Sequence, residues 1–213
     1  LQDENVEAVT QGAANLAKQI ENVRLFNVPV VVAINSFPTD TPAEVEAVRG
    51  VALAAGARDA VVANHWAEGG AGATDLAAAV WAAAEDGAPN FQLLYPDDAP
   101  LADKIEAIAT RIYGADGVDY LPAARKQLAQ YEALGFGHLP ICMAKTQYSL
   151  SADASLKGRP TGFRIPIREV RLSAGAGFIT PLAGEMRTMP GLPSRPGGEN
   201  IDIDANGEIV GLF

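Results

Sequence analysis

Residues 28–41 read VPVVVAINSFPTDT: a strand that breaks off and turns into a helix. Val28, Val30, Val31, Val32 and Ile34 are a nearly unbroken β-branched run, which predicts a strand covered on both faces, as in a parallel sheet. Asn35, Ser36, Phe37 and Pro38 stop that run. Thr41, Pro42 and Glu44 then supply an N-cap, a proline at the first helical position and an acid at the third, the pattern of a capping box. Open α/β sheets bind small ligands beyond the carboxyl ends of their strands. Phe37 stands at that place, outside any apolar periodicity.

Outward from this stretch, helix and strand alternate. Upstream, Val6, Val9, Ala13, Leu16, Ile20 and Val23 recur at spacings of three and four, predicting one helix over residues 4–26. Downstream, a helix runs from Pro42 to about Ala55 and stops at Gly56. Ala60–Ala63 is a short strand, residues 64–72 (NHWAEGGAG) a loop, and Thr74–Glu85 a helix with Leu76 and Val80 inward. The order α-β-α-β-α implies a parallel sheet with helices across it. Two strands are too few for a stable sheet of that kind. A partner chain is expected to complete it, or earlier strands of a longer polypeptide. Leu1, set directly before a helical pattern, agrees with a piece of a longer chain.

Trp66 follows the second strand as Phe37 follows the first. If those strands are neighbours, two aromatic faces approach across the ligand edge. They would clamp a flat heteroaromatic group, each stack adding about 0.5–1.5 kcal/mol beyond burial. The alternative is that both rings pack on the sheet edge.

From residue 87 the character changes. Gly87, Pro89, Pro96 and Pro100 surround Asp97-Asp98 and mark a boundary, dividing the chain into residues 1–91 and 92–213. Leu101, Ile105, Ile108 and Ile112 mark one helix, and Pro122–Leu134, ended by Gly135, a second. Pro140–Ala144 is a short apolar strand and residues 149–160 a loop. Phe163, Ile165 and Ile167 alternate, then Val170 and Leu172 alternate out of phase, which predicts a bulge near Arg168-Glu169. Phe178–Leu182 is a further strand and Met189–Gly198 a Pro/Gly-rich loop. Asn206-Gly207, between Ile201–Asp204 and Glu208–Val210, signals a hairpin. Helices followed by antiparallel strands make residues 92–213 an α+β unit.

Composition removes several function classes. With a net charge of -10 the chain is a poor candidate for neutralising nucleic-acid phosphates. One cysteine, Cys142, permits no intrachain disulfide and no cysteine metal cluster. It is weak support for a reducing, cytoplasmic setting. His65 and His138 are far apart, which argues against a histidine-rich metal site. No apolar run approaches a membrane span.

The remaining motifs each have two readings. Asn35, at a strand end, is either a base-recognising residue or a loop cap. Ser173–Gly177, with Gly175 and Gly177, offers backbone that could approach a phosphate, or it is a tight β-connection. Asp202-x-Asp204-x-Asn206-Gly207 begins like a calcium loop, but Phe213 stands where the twelfth-position glutamate belongs, so it reads as a hairpin turn. Lys145, in the polar run Lys145–Tyr148, faces an anion or water. No GxxxxGK[ST] phosphate loop occurs in the sequence.

Several long segments resemble the C-terminal portion of formate–tetrahydrofolate ligases. They are NLAKQIENVRLFNVPVVVAINSFPTDT (15–41), RIYGADGVDY (111–120), YEALGFGHLPICMAKTQYS (131–149), GRPTGF (158–163), REVRLSAGAGFI (168–179), TMPGLP (188–193) and the ending from Glu199 to Phe213. The resemblance implies ATP-dependent joining of formate to tetrahydrofolate through formyl phosphate. It implies the C-terminal part of a P-loop-type parallel-sheet domain over residues 1–91, followed by an α+β domain over 92–213. It implies magnesium, a monovalent cation (potassium or ammonium), a cytoplasmic homotetramer, and a phosphate loop carried by an N-terminal part of the polypeptide. Phe37 and Trp66 match the family's folate clamp and Pro38 its lining. Asn35, Gly175 and Gly177 are the candidates for nucleotide contact. Two other readings stand beside this one: a non-catalytic folate-binding or assembly partner from the same family, and a regulatory relative that binds nucleotide without folate.

Overall fold

The computed structural model describes residues 3–85, 90–185 and 195–211. Helix α1 (Val6–Arg24) is capped by Asn5, whose side chain accepts the Ala8 N–H at 2.9 Å. Its apolar stripe buries Ala13 and Ile20, while Val23 remains exposed. Lys18 and Asn22, off that stripe, are buried as well. Lys18 Nζ donates to the Arg111 carbonyl at 2.6 Å, so this polar flank is what meets the C-terminal half.

Strand β1 (Val31–Asn35) pairs in parallel with β2 (Asp59–Ala63). The expected burial of β1 on both faces is not observed: Ala33 and Asn35 are exposed, as is Val62 on β2. Ile20, Ala52, Ala57 and Ala60 form one small core with Leu16, Val30, Val32 and Ile34 against it. A β-branched run reports strand propensity, and two strands are too narrow for helices to seal both faces.

Between the strands lies α2 (Pro42–Ala54), and its capping box is present. Thr41 Oγ1 accepts the Glu44 N–H at 3.3 Å and Glu44 Oε2 accepts the Thr41 N–H at 3.0 Å. After β2 the expected loop is instead a one-turn helix, α3 (His65–Glu68), and a 3₁₀ segment, Gly69–Ala73. In α4 (Thr74–Glu85) Leu76 is half-buried but Val80, expected inward, is exposed, and Ala83 is the buried position. Small side chains let a helix approach a sheet closely, so alanine rather than valine marks the contact face here.

The C-terminal half begins with α5 (Leu101–Ala107), which runs into a π turn over Ile108–Ile112. Then come β3 (Val118–Tyr120), α6 (Pro122–Ala133), β4 (Ala144–Lys145), β5 (Ile165–Ser173) and β6 (Phe178–Ala183). The sheet order is β3-β5-β6-β4. β5 and β6 are antiparallel, but β3 runs parallel to β5 and β4 to β6. The sheet is therefore mixed, with parallel pairs beside the expected antiparallel one, because β3 and β5, and β4 and β6, are joined by long connections rather than by hairpins. β3 was not anticipated, and the strand expected over Pro140–Ala144 reduces to β4 plus one bridge between Ile141 and Ile179. The register shifts between Ile167 and Glu169, where the bulge was expected. Leu101, Ile105, Val118, Leu128, Ile165, Ile167, Val170 and Ile179 share the larger core. Each such aliphatic side chain stabilises the fold by about 1.5–3 kcal/mol on burial.

β7 (Asp202–Ile203) and β8 (Ile209–Val210) form the expected hairpin. The Pro/Gly-rich stretch Met189–Gly198 lies mostly outside the described residues. Among the described residues no helix is long and apolar enough to cross a membrane.

Candidate functional site

In the parallel register Val31 lies opposite Asp59 and Asn35 opposite Ala63, so β1 and β2 end level. Phe37 is two residues beyond one end and Trp66 three beyond the other. The neighbour relation on which the aromatic clamp depends is therefore present.

The turn after β1 is built by Asp40. Its Oδ2 accepts the Phe37 N–H at 2.8 Å, and its own N–H donates to the Phe37 carbonyl at 3.0 Å. The loop closes on itself and leaves the Phe37 ring outside, 67% exposed. Pro38 is exposed beside it. Glu44 anchors the far side of the turn. Besides closing the capping box, its Oε1 accepts the Asn5 N–H at 2.8 Å, joining the start of α1 to the start of α2. The Asn5 and Thr41 N–H groups hold the Glu44 carboxyl below the ordinary carboxylate range.

The turn after β2 is built by Asn64. Its carbonyl accepts the Ala67 and Glu68 N–H groups, and its N–H donates to the Gly72 carbonyl at 2.9 Å. This one-turn helix aims Trp66 back across the sheet end. Trp66 Nε1 donates to the Ser36 carbonyl at 3.0 Å, and the indole stays 58% exposed. Two large exposed aromatic residues from adjacent strand ends are thus tied together through Ser36. Among the described residues the stacked aromatic pair is Phe26 with Phe91, not these two. A cleft of about 460 Å³ opens on the α1–α2 side of the same strand end, lined by Asn5, Val9, Ile34, Asp40, Glu44 and Val45 among others.

Other candidates lie apart from this pair or are engaged elsewhere. Asn35 sits at the end of β1, exposed. Gly175 and Gly177 belong to the turn between β5 and β6, in the other sheet. There the Ala176 and Gly177 N–H groups donate to the Ser173 carbonyl, and Gly177 has φ +75°. That geometry is a tight β-connection. Lys145 is half-buried: its Nζ donates to the Thr146 and Ser151 carbonyls and lies 5.5 Å from the Tyr113 ring centre. The Asp204 carboxylate closes the β7–β8 turn by accepting the Asn206 and Glu208 N–H groups, as a hairpin requires. His65 is exposed. Among the described residues no group of three or more His, Cys, Asp or Glu side chains could hold a metal ion.

Sequence reading missed Ser36, Asp40, Asn64 and Gly72 as parts of the site. Asp40 had a local signal, an acid three residues after the exposed aromatic within a turn. Ser36 acts through its carbonyl, which any residue possesses, so its identity carried no signal.

The family model described as formate–tetrahydrofolate ligase matches residues 1–213. The chain is 61% identical over 210 residues to the formate–tetrahydrofolate ligase of Saccharopolyspora erythraea, covering 98% of this chain and 37% of that protein. It is 57% identical over 212 residues to the ligase of Roseiflexus sp., covering 100% of this chain and 37% of that protein. To the cytoplasmic C-1-tetrahydrofolate synthase of Schizosaccharomyces pombe it is 56% identical over 209 residues, covering 98% of this chain and 22% of that one. The chain thus spans well under half the length of these relatives.

Proposed function

The chain belongs to the formate–tetrahydrofolate ligase family, and on that premise we propose that it is the folate-clamping part of an enzyme that makes 10-formyltetrahydrofolate. The observation that supports this reading is the tether between Trp66 and the Ser36 carbonyl, which fixes an exposed indole to the residue preceding the exposed Phe37 at the level ends of two parallel strands. A flat pterin-like ring stacked between two aromatic faces buries both of them and gains quadrupole complementarity. Pro38 lines the same edge.

In the complete reaction a formate oxygen takes the γ-phosphoryl group of ATP, releasing ADP. The folate N10 amine then attacks the formyl carbon, and phosphate leaves as the new C–N bond forms. This chain's residues bind and orient the amine-bearing substrate. That fixed placement turns the attack into an effectively intramolecular step. Phosphate handling, as part of a P-loop-type domain, belongs to sequence beyond this chain. Asn35 is the nearest candidate here for a nucleotide contact, while Gly175 and Gly177 stand in a turn of the other sheet. Residues 1–91 are taken as the nucleotide- and folate-binding domain part and 92–213 as a second domain. In the cytoplasmic homotetramer that the family resemblance implies, magnesium and a monovalent cation would serve the complete protein. Among the described residues no group of side chains converges on a metal.

The test is a titration with tetrahydrofolate followed by tryptophan emission, with Trp66→Phe to separate Trp66 from Trp81. Saturable quenching that disappears in Trp66→Phe is expected. In the complete polypeptide Trp66→Ala raises the dissociation constant for tetrahydrofolate about tenfold, the factor equivalent to one lost aromatic stack, and leaves that for ATP unchanged. Equal losses for both ligands would sink the assignment.

A further inference from the structure

Trp66 sits on a single helical turn, and an isolated turn has little stability of its own. Its aim must be set by what surrounds it. Asn64 is the hinge point: its carbonyl caps the turn, its N–H bonds Gly72, and its Nδ2 donates to Glu68 Oε1 at 3.1 Å. Gly72 lies directly against this hinge. A Cβ built there would overlap the Asn64 carbonyl oxygen, at 2.6 Å from its carbon and 3.0 Å from the His65 nitrogen. These are backbone atoms and cannot swing aside. Gly70, in the same loop, has open space around its Cβ position.

We propose that Gly72 is a positioning residue for the folate clamp: its missing side chain lets residues 64–72 close, and that closure holds Trp66 within reach of Ser36. This rests on the clamp reading above. Any side chain at position 72 must displace Asn64 and His65, and Trp66 follows them directly. A displacement that breaks the 3.0 Å bond to Ser36 re-aims the indole face.

The experiment compares Gly72→Ala, Gly70→Ala, Trp66→Ala and the double variant Gly72→Ala/Trp66→Ala in the complete ligase polypeptide. KM is measured separately for tetrahydrofolate and ATP, and folding is checked by circular dichroism. Gly72→Ala is expected to raise KM for tetrahydrofolate about tenfold, as loss of one aromatic stack would, with KM for ATP unchanged. Gly70→Ala changes neither. In the Trp66→Ala background Gly72→Ala adds nothing further, because both act through one indole.

A folded Gly72→Ala enzyme with unaltered KM for tetrahydrofolate, or with both KM values raised together, overturns the proposal. So does full additivity with Trp66→Ala. A silent Trp66→Ala would instead overturn the clamp reading itself. If Gly72→Ala fails to fold, Glu68→Ala loosens the same turn without steric overlap. It is expected to raise KM for tetrahydrofolate about twofold, again only when Trp66 is present; no rise would overturn the proposal.

Discussion

Phe37 is placed by one carboxylate. Asp40 accepts the Phe37 N–H and returns its own N–H to the Phe37 carbonyl, so a four-residue turn is closed at both ends. Without that carboxylate the turn retains one bond, and in the proposed clamp the ring gains freedom that folate binding would have to remove. Asp40→Ala is therefore expected to weaken tetrahydrofolate binding about three- to tenfold, read from the same fluorescence titration, with little change in thermal midpoint. An unchanged dissociation constant would show that the turn holds Phe37 without Asp40. The apolar run, its sharp end and the lone aromatic residue after it were readable in the sequence. The hydrogen bond between Trp66 Nε1 and Ser36 was not, because it spans thirty positions and uses a backbone acceptor.

At the scale of elements, Glu44 ties two helix starts together, and its acid titration reports it. Its carboxyl is held low in the folded state, first by the Asn5 N–H and then by the Thr41 N–H. A carboxylate of this kind contributes stability in full above its unfolded pKa, and that contribution is lost as pH falls through the folded one. Thermal midpoints of the protein are expected to fall as pH drops from about 5 towards 3. Glu44→Gln should start lower at neutral pH and fall less over the same interval. Parallel pH profiles would remove Glu44 from that role. Lys104 performs a different kind of joining on α5. Fully buried, it donates to the Asp97, Gly137 and Leu139 carbonyls at 2.6, 2.9 and 3.1 Å. Burial lowers its pKa, and nearby Asp97 and Glu132 oppose that shift. Lys104→Met keeps the volume but strands three acceptors, and urea unfolding should show a loss of about 2–4 kcal/mol. A loss below about 1 kcal/mol would mean that those carbonyls find water instead.

At the scale of the molecule, the polar flank of α1 docks onto the C-terminal half. Asn15 Nδ2 donates to Ser149 Oγ at 2.8 Å and to the Gly158 carbonyl at 2.7 Å. Lys18 reaches the Arg111 carbonyl, and Arg159 forms a bidentate pair with Glu21 at 2.8 and 2.7 Å. The Arg159–Glu21 pair is half-exposed and screened by water, so it is worth at most about 1 kcal/mol. Asn15 is part-buried and bonds two partners at once. Asn15→Ala is expected to cost about 1–2 kcal/mol in urea unfolding and Arg159→Ala less than that. The reverse order would mean that charge rather than buried hydrogen bonding holds the halves together.

Side-chain period, capping pattern and turn chemistry are properties of a few adjacent residues. From them the sequence by itself determined α1, α2 and its capping box, α6, the bulge after Ile167 and the hairpin at Asn206-Gly207. It also placed Phe37 and Trp66 beyond strand ends. Only the tertiary structure decided that β1 and β2 are neighbours ending level, and that β3 exists and makes the C-terminal sheet mixed. The same holds for the burial of Lys18, Asn22 and Lys104, the exposure of Val80, and the need for a missing side chain at position 72. Each of these depends on which surface meets which, and so on atoms far apart in the chain whose approach is selected by packing of the whole. A local pattern specifies what an element is, but the partner facing it determines which of its residues are buried, paired or free to bind.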